Sequence, residues 1–152
     1  MLSTAIVFNA CNADPCKDIS CKNGGVCRDG SCKCSEGFEG PFCSVKMYEK
    51  FVGVFDGYYR CNGLIPETKT FIISPDSKPN RILLYNLFAQ NEAIMGTVDV
   101  EKVVFDSLQV GQVIYSGNGY IYDLDISLFI QEYHLDDSTL HTCTFNGRKF
   151  LN

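Results

Sequence analysis

The stretch CKDISCKNGGVCRDGSCKCSEGFEGPFC, residues 16–43, decides how the first part of the chain folds. It carries six of the chain's nine cysteines. Its apolar side chains are few, with Ile19, Val26, Phe38 and Phe42 nearly all of them. A segment this small and polar cannot be held folded by apolar burial alone, so disulfide bonds must stabilise it. Disulfides persist outside the reducing cytosol, and we therefore expect the chain to mature in an oxidising compartment.

The turn residues of this stretch point to one family. The triplet Asn23-Gly24-Gly25 precedes the third cysteine, and the run from Cys32 to Cys43 has the spacing CxCxxGFxGPxC. In these features the segment resembles an EGF-like module. Spacing alone leaves many cysteine pairings open, but the resemblance implies one set: Cys16–Cys27, Cys21–Cys32 and Cys34–Cys43.

Two metal-binding alternatives for this segment have little support. A zinc-binding knuckle normally carries a CxxC pair or histidines at ligand spacing, and the segment has neither. EGF-like modules that bind calcium carry acidic and amide residues before the first cysteine and an aromatic residue between the third and fourth. Here Asp14-Pro15 precedes Cys16, and only residues 28–31 separate Cys27 from Cys32. We therefore predict no calcium site.

Residues 1–11, MLSTAIVFNAC, are apolar and end with a small residue before Cys11. They resemble the end of a bacterial lipoprotein signal, which implies a lipid on Cys11 that anchors the chain to a membrane. The alternatives are an ordinary leader with Cys11 spare and a secreted protein. The predicted organisation is a leader (1–11), an EGF-like module (12–44) and a larger domain (45–152) in a cell-envelope lipoprotein.

From residue 45 onward the sequence reads as an all-β domain. Residues 47–52 suit a short helical linker, and strand-like runs separated by turn residues follow. Connections this short favour an antiparallel meander. Eight such strands can close into a barrel, with a sandwich as the main alternative. The predicted strands are residues 52–61, 68–74, 81–88, 93–100, 102–108, 112–123, 126–134 and 139–146.

The last two hairpins predict which side chains face the core. A turn centred on Asp137-Ser138 sets His134 opposite His141, and one centred on Leu124-Asp125 sets Ile121 opposite Leu128. The predicted inner face carries Val113, Tyr115, Gly117, Gly119, Ile121, Leu128, Ile130, Cys143 and Phe145. The predicted outer face carries Tyr120, Tyr122, Phe129 and Tyr133.

A closed meander also predicts a fourth disulfide. When the number of strands is even, the first strand pairs antiparallel with the last. This places Cys61, at the end of the first strand, near Cys143, within the Cα separation of about 7 Å that a disulfide requires. Cys11 is then the one cysteine left over.

The sequence contains no recognisable catalytic motif. A nucleophile elbow, a zinc-protease HExxH and a phosphate-binding glycine loop are all missing. Asp123 and Asp125 are close in sequence, but paired acidic residues are common at turns. His134 and His141, with Glu132 and Asp136 nearby, are the residue types that bind zinc. Because histidines beside solvated turns are common without function, we predict no metal site, no cofactor and no enzyme.

Binding functions fit the sequence better. The outer aromatic residues (Tyr120, Tyr122, Phe129 and Tyr133) are expected to contact a protein or glycan partner. A second alternative is a barrel that holds a small apolar ligand, since residues 51–55 are faintly similar to the start of lipocalin-type proteins. A receptor-binding EGF-type ligand is a third. The net charge of −5 with no basic stripe argues against nucleic acid.

Overall fold

A computed structural model describes residues 14–151 of the chain. The proposed leader, including the lipidation candidate Cys11, lies outside the described residues. Within them, no helix is both long enough and apolar enough to cross a membrane. The strands are β1 (Val26–Arg28), β2 (Ser31–Lys33), β3 (Phe38–Glu39), β4 (Val45–Lys46), β5 (Gly53–Cys61), β6 (Glu67–Pro75), β7 (Arg81–Tyr85), β8 (Ala93–Asp99), β9 (Lys102–Val110), β10 (Val113–Tyr122), β11 (Asp125–His134) and β12 (Thr139–Lys149).

The N-terminal module consists of two small hairpins, β1–β2 and β3–β4. Three disulfides hold it: Cys16–Cys27, Cys21–Cys32 and Cys34–Cys43. These are the pairs that the resemblance implied. A 3-10 helix, Met47–Lys50, then leads into the larger domain; we refer to it as the linker helix.

Strands β5 to β12 form a closed antiparallel barrel in sequence order, which confirms the predicted fold class and decides for the barrel over the sandwich. The barrel closes where β12 pairs with β5, from Cys143 opposite Cys61 to Lys149 opposite Phe55. The Cys61–Cys143 disulfide joins the same two strands covalently. All eight strand predictions agree with the structure to within three residues at either end.

Aromatic side chains fill the barrel. Phe55, Phe71 and Phe145 are fully buried, and the rings of Phe71 and Phe145 meet edge to face with centroids 4.9 Å apart. Room for Phe145 depends on Gly147, where a Cβ would lie 2.5 Å from the Phe145 ring. The predicted inner face is confirmed: its Ile, Leu, Cys and Phe side chains are buried, and Val113 and Tyr115 are half-buried.

The two ends of the barrel differ. At the closed end, where β5 begins, the linker helix packs against the core and Phe51 is fully buried. The module contacts the same end, because the Asn80 amide donates to Glu36 (2.8 Å) and Gly37 packs on Pro79. The opposite end, where β5 finishes and β6 begins, is the mouth.

The predicted registers of the last two hairpins are wrong by two residues. Ile121 lies opposite Ile126 rather than Leu128, and His134 lies opposite Thr139 rather than His141. In the first hairpin the turn residues are Asp123 and Leu124, and Asp123 adopts a φ of 55°, so the turn lies one residue earlier than expected. A shift of two keeps each side chain on its predicted face because strand side chains alternate.

Strand β7 is also shorter than predicted. It ends at Tyr85 instead of residue 88, because Asn86 adopts a φ of 63° and its side chain accepts a hydrogen bond from the Asn91 backbone (3.0 Å). Asparagine tolerates this left-handed conformation and forms such local bonds more readily than other residues. The chain therefore leaves the sheet at Asn86 and loops to β8.

Candidate functional site

Polar and ionisable side chains face inward at the mouth of the barrel. On each strand they lie in line with the inward-facing core residues, since every second residue points to the same side. Tyr59 follows Phe55 on β5, Lys69 precedes Phe71 on β6, and Glu132 follows Ile130 on β11. We define the mouth cluster as Tyr59, Lys69, Tyr115, Glu132, His134 and His141.

Glu132 is the centre of this cluster. The Tyr59 hydroxyl donates a short hydrogen bond to Glu132 Oε1. The ammonium group of Lys69 lies over the Tyr59 ring, 4.4 Å from its centroid, in a cation–π contact. The second carboxylate oxygen, Oε2, lies 3.7 Å from His134 Nε2, too far for a hydrogen bond. The carboxylate is thus held from one side and open on the other.

Burial shifts the pKa values of three side chains in the cluster, Tyr59, Lys69 and Tyr115. It raises the pKa of Tyr59 well above its ordinary value, and the hydrogen bond to Glu132 adds to that effect. Burial also raises the pKa of Tyr115, helped by the charge of Glu132. For Lys69, burial lowers the pKa, because a buried ammonium group loses hydration.

Both histidines of the chain belong to the mouth cluster. Their ring centroids are 4.4 Å apart, and His141 lies directly opposite Glu132 across β11 and β12. His134 Nε2 is buried and has no hydrogen-bond partner. One potential ligand atom from each of Glu132, His134 and His141 lies within 4.8 Å of the others. Asp136, the fourth residue of the predicted group, is exposed in the β11–β12 loop and does not join them.

Sequence reasoning missed three members of the cluster. Tyr115 was expected on the inner face but not at a site, and Tyr59 and Lys69 come from strands whose stagger relative to β11 is unknown until the registers are known. The available signal was the alternation in residues 52–61 and 68–74, which puts Tyr59 and Lys69 on the same face as Phe55 and Phe71.

A cleft of about 570 Å³ lies beside the mouth. Pairing of β6 with β7 begins only at Ile72, so residues 67–71 have no neighbour on that side. The loop that follows β7 forms the opposite wall of the cleft, with Phe88 stacked on Tyr115 at a centroid distance of 4.3 Å. The cleft therefore adjoins the mouth cluster at Lys69.

A second candidate surface lies on the outside of β10 and β11, which we call the aromatic face. Its four aromatic side chains are exposed as predicted: Tyr120 by 49%, Tyr122 by 76%, Phe129 by 49% and Tyr133 by 38%. Polar side chains alternate with them, since Tyr120 lies opposite Ser127 and Phe129 opposite Asn118. Tyr133 instead lies between Ile114 and the exposed Leu140, so the alternation with polar side chains does not extend to it.

The acidic pair Asp123 and Asp125 lies at the β10–β11 turn, and both residues are exposed. Asp125 approaches Arg148 at 3.6 Å, an ion pair at the surface. The arrangement is that of a solvated turn.

Comparison with protein-family models and with curated protein sequences finds no match for this chain. The four disulfides indicate an oxidising setting, extracellular or within a cell envelope.

Proposed function

We propose that this chain is an exported, non-enzymatic binding protein whose aromatic face holds a neutral glycan. The observation that carries the proposal is the grouping of four exposed aromatic rings on two adjacent strands. Single exposed apolar residues are normal on any protein. A group of them on one face usually marks an interaction surface.

The alternation of rings with polar groups favours a glycan over a protein. Protein hot spots cluster their apolar side chains around a desolvated centre. On the aromatic face, Asn118 and Ser127 separate the rings and offer amide and hydroxyl groups for hydrogen bonds. A sugar presents apolar C–H faces and hydroxyl edges, which match such a pattern. The net charge of −5 favours a neutral sugar over an acidic one, because like charges repel.

The rest of the chain suits display of the barrel outside the cell. The four disulfides support an oxidising setting for it. The N-terminal module, which resembles an EGF-like module, acts as a compact spacer. In the proposal a lipid on Cys11 anchors the chain to the membrane.

The proposal is tested by affinity electrophoresis of the full chain in gels that contain neutral polysaccharides. The double variant Tyr120→Ala/Phe129→Ala is expected to lose the retardation that the unmodified protein shows. The matched control is Phe150→Ala, which removes an aromatic ring exposed by 55% at the closed end. No retardation of the unmodified protein, or equal loss in the control, contradicts the proposal. Capture of a protein partner through Tyr120 and Phe129 would replace the glycan with a protein ligand.

The alternative of a small apolar ligand inside the barrel has less support. Fully buried side chains fill the interior, with Phe51 at the closed end and Ile130 just below the mouth cluster. The mouth cluster itself is polar. An eight-stranded barrel leaves an interior only just wide enough for its own side chains or one small ligand.

A further inference from the structure

We propose that Glu132, His134 and His141 form a binding site for a transition-metal ion, with Zn²⁺ as the expected occupant. The site is independent of the glycan proposal, because its three residues face the barrel interior and the aromatic face lies outside. It also goes beyond what the sequence predicted, since the expectation there was that these histidines have no ligand.

Strand geometry brings the three side chains together. Glu132 and His134 are two residues apart on β11, so both point inward. His141, on β12, is the residue directly paired with Glu132 across the two strands. One ligand atom from each residue lies within 4.8 Å of the other two. All three are supplied by one hairpin whose strands are paired along their full length.

The ligand atoms are free of other partners where an ion needs them. His134 Nε2 is buried without a hydrogen bond, and burying such an atom unsatisfied costs free energy. It faces Glu132 Oε2 at 3.7 Å. Two ligands of a tetrahedral zinc ion, each about 2.0–2.1 Å from the metal, lie about 3.3 Å apart. An ion between the two atoms would therefore satisfy both with small side-chain movements.

Neighbouring residues hold the carboxylate in place. Tyr59 donates its hydroxyl to Oε1 and leaves Oε2 open toward His134. Lys69, the nearby cation, lies over the Tyr59 ring, and among the described residues it forms no ion pair with Glu132. The Cys61–Cys143 disulfide anchors β12 two residues beyond His141. Such outer contacts orient metal ligands and are worth about 10- to 100-fold in affinity.

The donor set selects the kind of metal. Two imidazole nitrogens and one carboxylate oxygen suit zinc and copper, whereas calcium and magnesium prefer oxygen ligands alone. Two histidines and one glutamate also leave a fourth position for water, as in zinc sites with three protein ligands. Although His134 Nε2 itself is buried, both histidine residues are only half-buried at the mouth, which brings solvent to the edge of the site.

The test is calorimetric titration of the oxidised full chain with Zn²⁺, with no affinity tag and in a Cys11→Ser background that removes the one cysteine outside the described residues. We expect one ion per chain, and binding at least about 100-fold weaker in His134→Gln and His141→Gln. The controls Asp136→Asn and Asp137→Asn change exposed carboxylates of the same hairpin and should bind as the parent does. Mg²⁺ should give no binding at the same concentrations.

Two readouts keep the test decisive. Because the chain has only two histidines, the parent protein shows two sets of imidazole NMR signals, and both sets should shift together on saturation with Zn²⁺. Near-ultraviolet circular dichroism checks that the variants stay folded. Failure of the parent to bind Zn²⁺, unshifted imidazole signals, or unchanged affinity in both histidine variants would overturn the proposal.

Discussion

Cys61 and Cys143 face each other across the seam where the last strand of the barrel meets the first, with their Cα atoms 4.0 Å apart. The bond joins residues 82 positions apart in the chain. A crosslink that closes so long a loop restricts the unfolded chain strongly, which corresponds to about 4–5 kcal/mol of stabilisation in the chain-entropy description.

The double variant Cys61→Ser/Cys143→Ser is therefore expected to keep the barrel but lose about 4–5 kcal/mol of unfolding free energy. Backbone pairing of β5 with β12 continues without the bond, so the fold is retained. Urea unfolding followed by circular dichroism measures the change. The control Cys16→Ser/Cys27→Ser opens only a short loop in the module. An equal loss of barrel stability in that control would contradict the assignment of the effect to the seam.

Contact between the module and the barrel depends on Gly37. A Cβ at this position would lie 2.7 Å from the Pro79 ring, and the residue has a φ of 86°. We expect Gly37→Ala to detach the module while the barrel stays folded, seen as faster proteolytic cleavage between residues 44 and 52. Gly40→Ala is a matched control, because Gly40 has a φ of 87° and meets only ordinary contacts with Val45. Both variants carry the same backbone strain, so a difference between them isolates the contact with Pro79.

Gly147 lies beside the ring that fills the barrel centre. Its substitution by alanine would place a Cβ 2.5 Å from both the Phe145 ring and the Asp56 carbonyl oxygen. We expect Gly147→Ala to reduce the unfolding free energy by about 1–3 kcal/mol, the usual range for overpacked cores. Combining it with Phe145→Leu should recover part of the loss by relieving the ring contact. A neutral effect of Gly147→Ala in urea unfolding would show that the strands can separate freely at this point.

The hydroxyl of Tyr59 makes the free energy of unfolding fall as the pH becomes alkaline. Its pKa in the folded state lies above the ordinary value of about 10, mainly through burial and then through Glu132. The unfolded chain therefore releases this proton first as pH rises. The stabilisation is fully present below about pH 10 and is lost as pH rises toward the folded pKa.

Tyr59→Phe should accordingly flatten the decline of stability above pH 10, while costing about 1.5–3 kcal/mol at neutral pH through the lost hydrogen bond to a charged group. Unfolding free energies measured across the alkaline range test both effects. Glu132→Gln should flatten the decline less, since burial, the larger cause, remains. A slope identical to the parent's in Tyr59→Phe would refute the assignment.

Much of the fold could be predicted because its signals are local. Alternating side chains and turn residues located all eight barrel strands to within three residues. The face of each residue was also correct for β10 to β12, since a register error of two preserves alternation. The registers themselves depended on which residue accepts a positive φ, and Asp123 took that role one position before the expected turn.

The mouth cluster shows where such reasoning stops. Glu132 and His141 come from neighbouring strands, so a hairpin drawn from the sequence brings them near each other. Tyr59 reaches Glu132 from a strand that pairs with β12 and not with β11. The contact is set by the stagger of strands around a closed barrel, which no local pattern specifies.

Pairing of β12 with β5 brings the two ends of the barrel domain together. Lys149 lies opposite Phe55, and the Phe150 backbone donates to the Val54 carbonyl (2.9 Å), so the domain's first and last residues are neighbours at one pole. Anything fused to either side of the barrel is held at that pole. A circularly permuted barrel, with its ends joined there and reopened at the Gln90-Asn91 loop, should still fold. The mouth, with both histidines, lies at the pole opposite both ends of the barrel domain.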